Sequence, residues 1–70
     1  QRIIQKLFQQ LKPIDQEIFL LYYYNYLKIE EIALQLNMNP QTIKTRLRRG
    51  RETLRNALRR EGYKVYEDKD

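Results

Sequence analysis

Ile3, Ile4, Leu7, Phe8 and Leu11 repeat at helical spacing with Gln and Lys between them, which predicts an amphipathic helix over residues 2–11 with one buried stripe. Pro13 disfavours the helical conformation at Lys12 and ends that helix. Asp15 and Glu17 then sit in the first turn of a second helix, placed at about 14–26, where negative charge suits the helix dipole. Ile18, Leu21 and Tyr22 form its stripe, but Phe19, Leu20, Tyr23 and Tyr24 carry apolar surface around most of the circumference. A helix this apolar is either central to the core or partly covered by a partner.

Tyr26-Leu27-Lys28 connects to a third helix at about 29–36, with Glu30 and Glu31 in its first turn. Asn37 stands where the chain needs a left-handed residue, and Asn39-Pro40 supplies a cap and a first-turn proline for a fourth helix. That helix is expected to run to about Glu61, with Gly62 as its stop. Ile32, Ala33, Leu36, Met38, Ile43 and Leu47 fall where a helix-turn-helix needs apolar or small residues. Gly50, inside the long helix, costs about 1 kcal/mol against Ala and is read as a mark of close packing against a neighbouring helix. Residues 63–70, YKVYEDKD, have no period and read as a frayed tail. The expected architecture is one all-α domain over residues 1–62, four helices with a helix-turn-helix and no wing.

Charge sharpens this picture. The whole chain carries a formal +5, yet Lys44 to Arg60 holds eight Lys or Arg against one acid, Glu52. That segment is therefore +7, and subtracting it from +5 leaves −2 for everything else. Such asymmetry points to an anionic partner for the fourth helix. With no Cys and no His, the chain lacks a disulfide framework, a thiol nucleophile, an imidazole base and the usual zinc ligands. No catalysis, metal or cofactor is expected. No apolar run reaches the roughly 18 residues of a membrane span and no signal peptide is evident, so a cytoplasmic setting is expected. The start at Gln1 reads as a domain of a longer protein.

At 100 degrees per residue, Ile43, Leu47, Gly50, Leu54, Ala57 and Leu58 share one side of the fourth helix, with Gln41, Thr45, Arg48, Arg49 and Glu52 opposite. Lys44, Arg51 and Arg55 flank one edge of this outer face, and Thr42 and Arg46 the other. Flanking cations with central hydrogen-bonding side chains suit a major groove, where phosphates border the base edges. Thr45, Arg48 and Arg49 are the candidates for base edges. Gln41, Thr42, Lys44, Arg46 and Arg51 are the candidates for phosphates, with Arg46 alternatively bracing the third helix. A basic face can be merely solvated, but a solvated helix has no need of a second helix set before it by a tight turn. Glu30 and Glu31 read as dipole complements rather than catalytic acids, and Asp68 and Asp70 as solvated. Leu20, Tyr23 and Tyr24 exceed what one buried stripe needs and are expected to form a protein-binding patch.

The stretch EEIALQLNMNPQTIKTRLRRGRETLR, preceded by IFLLYYYNYL, resembles region 4 of bacterial sigma factors of the sigma-70 family, most closely the extracytoplasmic-function group. The likeness spans Leu11 to about Leu58 and rests on EEIA, a turn, and then Thr42, Ile43, Lys44, Thr45, Arg46, Leu47, Arg49, Arg51, Leu54 and Arg55. It implies a domain that recognises the minus-35 promoter element, contacts the flap of the RNA polymerase β subunit and is often masked by an anti-sigma factor. Three positions depart from the family's pattern: Lys28 replaces a capping Ser or Thr, Asn37 the Gly of the turn, and Gly50 an Ala. The output domain of a response regulator or quorum-sensing activator has a similar EIA-turn-TVK stretch, and a protein-interaction module held by an anti-sigma factor is a third reading.

Overall fold

The computed structural model describes residues 2–64. Four α-helices follow one another, α1 (Arg2–Phe8), α2 (Pro13–Phe19), α3 (Ile29–Leu36) and α4 (Pro40–Arg60), and no strand occurs among the described residues. The all-α, four-helix arrangement agrees with the hydrophobic pattern, but the first two helices are shorter than the periodicity suggests. α1 closes at Phe8 because its last turn tightens: the amides of Gln10 and Leu11 donate to Leu7 and Phe8, three residues back, at 3.0 and 3.1 Å. Leu11 still reaches the core. Its carbonyl accepts a bond from the Gln16 side chain at 2.8 Å, and Lys12 is extended, φ −61 and ψ 150, as a residue before proline must be.

α2 does not continue to residue 26. From Leu20 to Tyr24 the chain makes a π-helical turn, in which the Asn25 amide reaches five residues back to Leu20 at 3.0 Å. The wider turn leaves Leu21 and Tyr22 half-buried against the core while Leu20, Tyr23 and Tyr24 turn outward. Tyr26 follows at φ +58, a left-handed conformation that costs a side-chain-bearing residue about 1–2 kcal/mol. This reverses the chain and returns Leu27 to the core.

α3 begins without a side-chain acceptor at Lys28; instead the Glu31 carboxylate accepts from the Lys28 amide at 2.8 Å, which is one half of a capping box. It ends on Asn37 at φ 54 and ψ 50, the left-handed residue expected there. Around it the Met38 amide donates to Ala33 at 2.9 Å and the Asn37 amide to Leu34 at 3.3 Å, the paired bonds of a Schellman motif. Asn39 then caps α4, its Oδ1 accepting from the Gln41 amide at 2.8 Å, with Pro40 at the first helical position.

Ile18 from α2, Ile32 from α3, and Ile43 and Leu47 from α4 are fully buried and form the centre, joined by Leu11, Phe19 and Ala33. Phe19, which the spacing placed off the α2 stripe, is inside because Gly50 makes room for it. A Cβ built at Gly50 would stand 2.6 Å from one Phe19 ring carbon and 2.8 Å from another. At its far end α4 stops on Gly62, φ +89, with the Tyr63 amide donating to Leu58 at 3.0 Å. The frayed tail expected from residue 63 lies, beyond Lys64, outside the described residues.

Candidate nucleic-acid interface

Burial of Ile43, Leu47, Gly50 and Ala57 fixes how α4 is rotated, and so which residues it offers to solvent. Gln41, Arg48, Arg49 and Glu52 are exposed on the outer face, with Thr45 half-buried among them. Along one edge Lys44 is exposed and Arg51 and Arg55 are half-buried; along the other lie exposed Thr42 and half-buried Arg46. The first edge borders a shallow hollow of about 290 Å³ shared by Lys44, Arg48 and Arg51 with Tyr22 and Ile29. Among the described residues, no side-chain hydrogen bond or ion pair ties down Lys44, Arg48 or Arg49. Their charges are available to a ligand.

Two of the sequence-predicted residues make contacts within the fold that the spacing does not reveal. Arg46 was expected at a phosphate or against the third helix, but its Nη1 donates to Asp15 Oδ1 of α2 at 3.0 Å, in a pair whose side chains are 34 and 15 % exposed. Its buried Nε has no hydrogen-bond partner among the described residues. The guanidinium is held inward because Asp15, in the first turn of α2, lies within its reach. Arg46 is a clamp between α2 and α4. Asp15 is the partner that sequence reasoning missed; it was visible only as a dipole complement, since nothing in the spacing says that it faces a residue 31 positions on.

Arg51 is the second. Its Nη1 donates to the Tyr23 hydroxyl at 3.2 Å, so a residue assigned to phosphates meets a residue assigned to a protein partner. The two surfaces share a border. Leu20, Tyr23 and Tyr24 are 51, 47 and 77 % exposed, and with Phe8, Phe19 and Arg51 they line an apolar hollow of about 360 Å³. Tyr23 is anchored beneath: its ring centroid lies 5.4 Å from that of Phe19 and 4.9 Å from that of Tyr22, and Phe8 meets Phe19 edge-on at 6.5 Å.

Among the described residues no group of three or more His, Cys, Asp or Glu could hold a metal ion, and no helix is long and apolar enough to cross a membrane. Asp68 and Asp70 lie outside the described residues.

A short helix, a left-handed turn, and a capped second helix whose outward face is cationic define a helix-turn-helix domain of the DNA-binding, transcription-regulating kind. The chain belongs to the family described as Sigma-70, region 4, whose model matches residues 1–54. In sigma factors that region binds the minus-35 promoter element and contacts RNA polymerase during transcription initiation; it is a regulatory domain and not a catalytic one. Comparison with curated proteins and with solved structures returned no match.

Proposed function

We propose that this domain serves a sigma factor of the extracytoplasmic-function group in the cytoplasm, where α4 enters the major groove of the minus-35 element. Thr45, Arg48 and Arg49 meet base edges; Gln41, Thr42, Lys44 and Arg51 hold phosphates, while Arg46 sets the rotation of α4 through Asp15. The observation that carries the reading is the outer face of α4: exposed Arg48 and Arg49 with no side-chain hydrogen bond or ion pair among the described residues, framed by further cations, in a chain of this family. Leu20, Tyr23 and Tyr24 form the docking patch for the β-subunit flap or an anti-sigma factor. The rival reading, an output domain of a response regulator or quorum-sensing activator, has the family match against it.

Fluorescence anisotropy on promoter duplex tests the proposal. If the cations of the α4 face, Lys44, Arg48, Arg49, Arg51 and Arg55, together neutralise four or five phosphates, the log-log salt slope is roughly −4, and Arg49→Ala flattens discrimination at one base pair at a cost of about 1–3 kcal/mol. A slope near zero overturns the electrostatic footprint. Uniform weakening of all single-base variants by Arg49→Ala moves that residue to the phosphates.

A further inference from the structure

The two edges of α4 are unequally supplied. One carries Lys44, Arg51 and Arg55, whereas the other carries Thr42, Thr53 and an Arg46 already drawn back onto Asp15, with Arg49 beside them and Arg60 at the far end of the helix. A helix lying in a major groove has a sugar-phosphate strand along each side. Near the middle of that edge, the cation that α4 leaves free of an ion pair is Arg49, which the proposed reading assigns to a base.

The fold adds a further cation from another element. An open cleft of about 480 Å³ separates the poor edge from the α1–α2 connection, lined from α4 by Thr42, Arg49 and Thr53 and from the connection by Gln10 and Lys12. Asp15 also lines it, but its charge is met by Arg46, so Lys12 and Arg49 leave the cleft cationic. Lys12 is exposed and tied to nothing through its side chain among the described residues, and its backbone is fixed in the extended conformation by Pro13. Gln10 and Thr53, both exposed, add neutral donors on opposite walls.

The geometry points to a phosphate site in this cleft: a backbone phosphodiester of the bound duplex sits between α4 and the α1–α2 connection, with Lys12 as its cation. Lys12 takes the place that Arg46 vacates, and the contact belongs to the strand opposite the one met by Lys44 and Arg51. This rests on the reading of α4 as the duplex-binding helix.

The test compares the wild-type chain with Lys12→Gln and with Lys6→Gln, an exposed lysine of α1 that does not line the cleft. Each is titrated by anisotropy against promoter duplex and against duplexes in which one phosphate at a time is a neutral methylphosphonate. Lys12→Gln is expected to make the salt slope shallower by about 1 and to weaken all single-base variants by the same factor. One methylphosphonate should weaken the wild type and Lys6→Gln but leave Lys12→Gln unaffected. If the wild type binds and Lys12→Gln keeps its full slope, or both lysine variants weaken alike with no phosphate losing its effect, this proposal fails alone. A wild type without salt-dependent duplex binding overturns the reading of α4 and this proposal with it.

Discussion

Adding one methyl group at Gly50 sets two effects of known sign against each other. Alanine is better than glycine inside a helix by about 1 kcal/mol, so on backbone grounds Gly50→Ala stabilises α4. The new Cβ, however, lands 2.6 and 2.8 Å from two carbons of the Phe19 ring, where carbon atoms prefer about 3.5–4.0 Å. The ring must retreat by about 1 Å, at the expense of its contacts with Phe8 and Tyr23, although the apolar hollow it lines can take part of the shift. Overpacking of this kind costs about 1–3 kcal/mol. The net expectation is a destabilisation of up to about 2 kcal/mol, and each kcal/mol lowers the melting temperature by about 4–8 °C in a domain of this size. Thermal and urea unfolding followed by circular dichroism measure it, and a double-mutant cycle isolates the cause. In a Phe19→Leu background the obstructing ring carbons are gone, so Gly50→Ala should there become stabilising by about 1 kcal/mol. Stabilisation by Gly50→Ala with Phe19 in place would refute the argument that the ring dictates the glycine.

Three further outcomes follow from the same geometry. Tyr26→Gly relieves a left-handed residue whose side chain is 85 % exposed and should raise stability by about 0.5–1 kcal/mol; a lower melting temperature would mean that the ring contributes more than its backbone costs. Asp15→Asn breaks the clamp between α2 and α4, half-screened by solvent, and should lose about 1–2 kcal/mol in urea unfolding, whereas an unchanged midpoint would mark the pair as incidental. Leu20→Ser with Tyr24→Ser should keep the helical signal and duplex affinity while reducing capture of RNA polymerase core or an anti-sigma factor; loss of the fold would show that these side chains hold up the core.

The helix-turn-helix was legible because its determinants are local. Asn37 and Asn39-Pro40 each set one backbone conformation through their own chemistry, and the apolar positions from Ile32 to Leu47 repeat at the helical period. Gly50 was legible as close packing for a related reason, since a helix interior tolerates glycine only where something needs the space. The π turn was not legible, because Leu20 to Tyr24 is apolar or aromatic at every position and so carries no phase from which a period can be read. Tyr26 runs against its own propensity, and local reasoning cannot anticipate that. The Arg46–Asp15 and Arg51–Tyr23 contacts join residues 31 and 28 positions apart. A helical wheel assigns an arginine to an edge but does not say which neighbouring helix passes within reach.

Those two contacts sort the guanidiniums of α4 by stiffness. A free arginine side chain carries about 2 kcal/mol of rotamer entropy, which a ligand must remove in order to use it. Arg46 loses much of that freedom to Asp15 when the chain folds, and Arg51 is restrained at the Tyr23 hydroxyl beside one edge of the helix. Arg48 and Arg49, between them in sequence and tied to no described residue, keep theirs. The helix thus presents a pre-set border around a pliable centre; on the proposed reading, the alignment of α4 against a rigid polyanion and its adjustment to the atoms inside the groove are carried by different arginines and can vary independently.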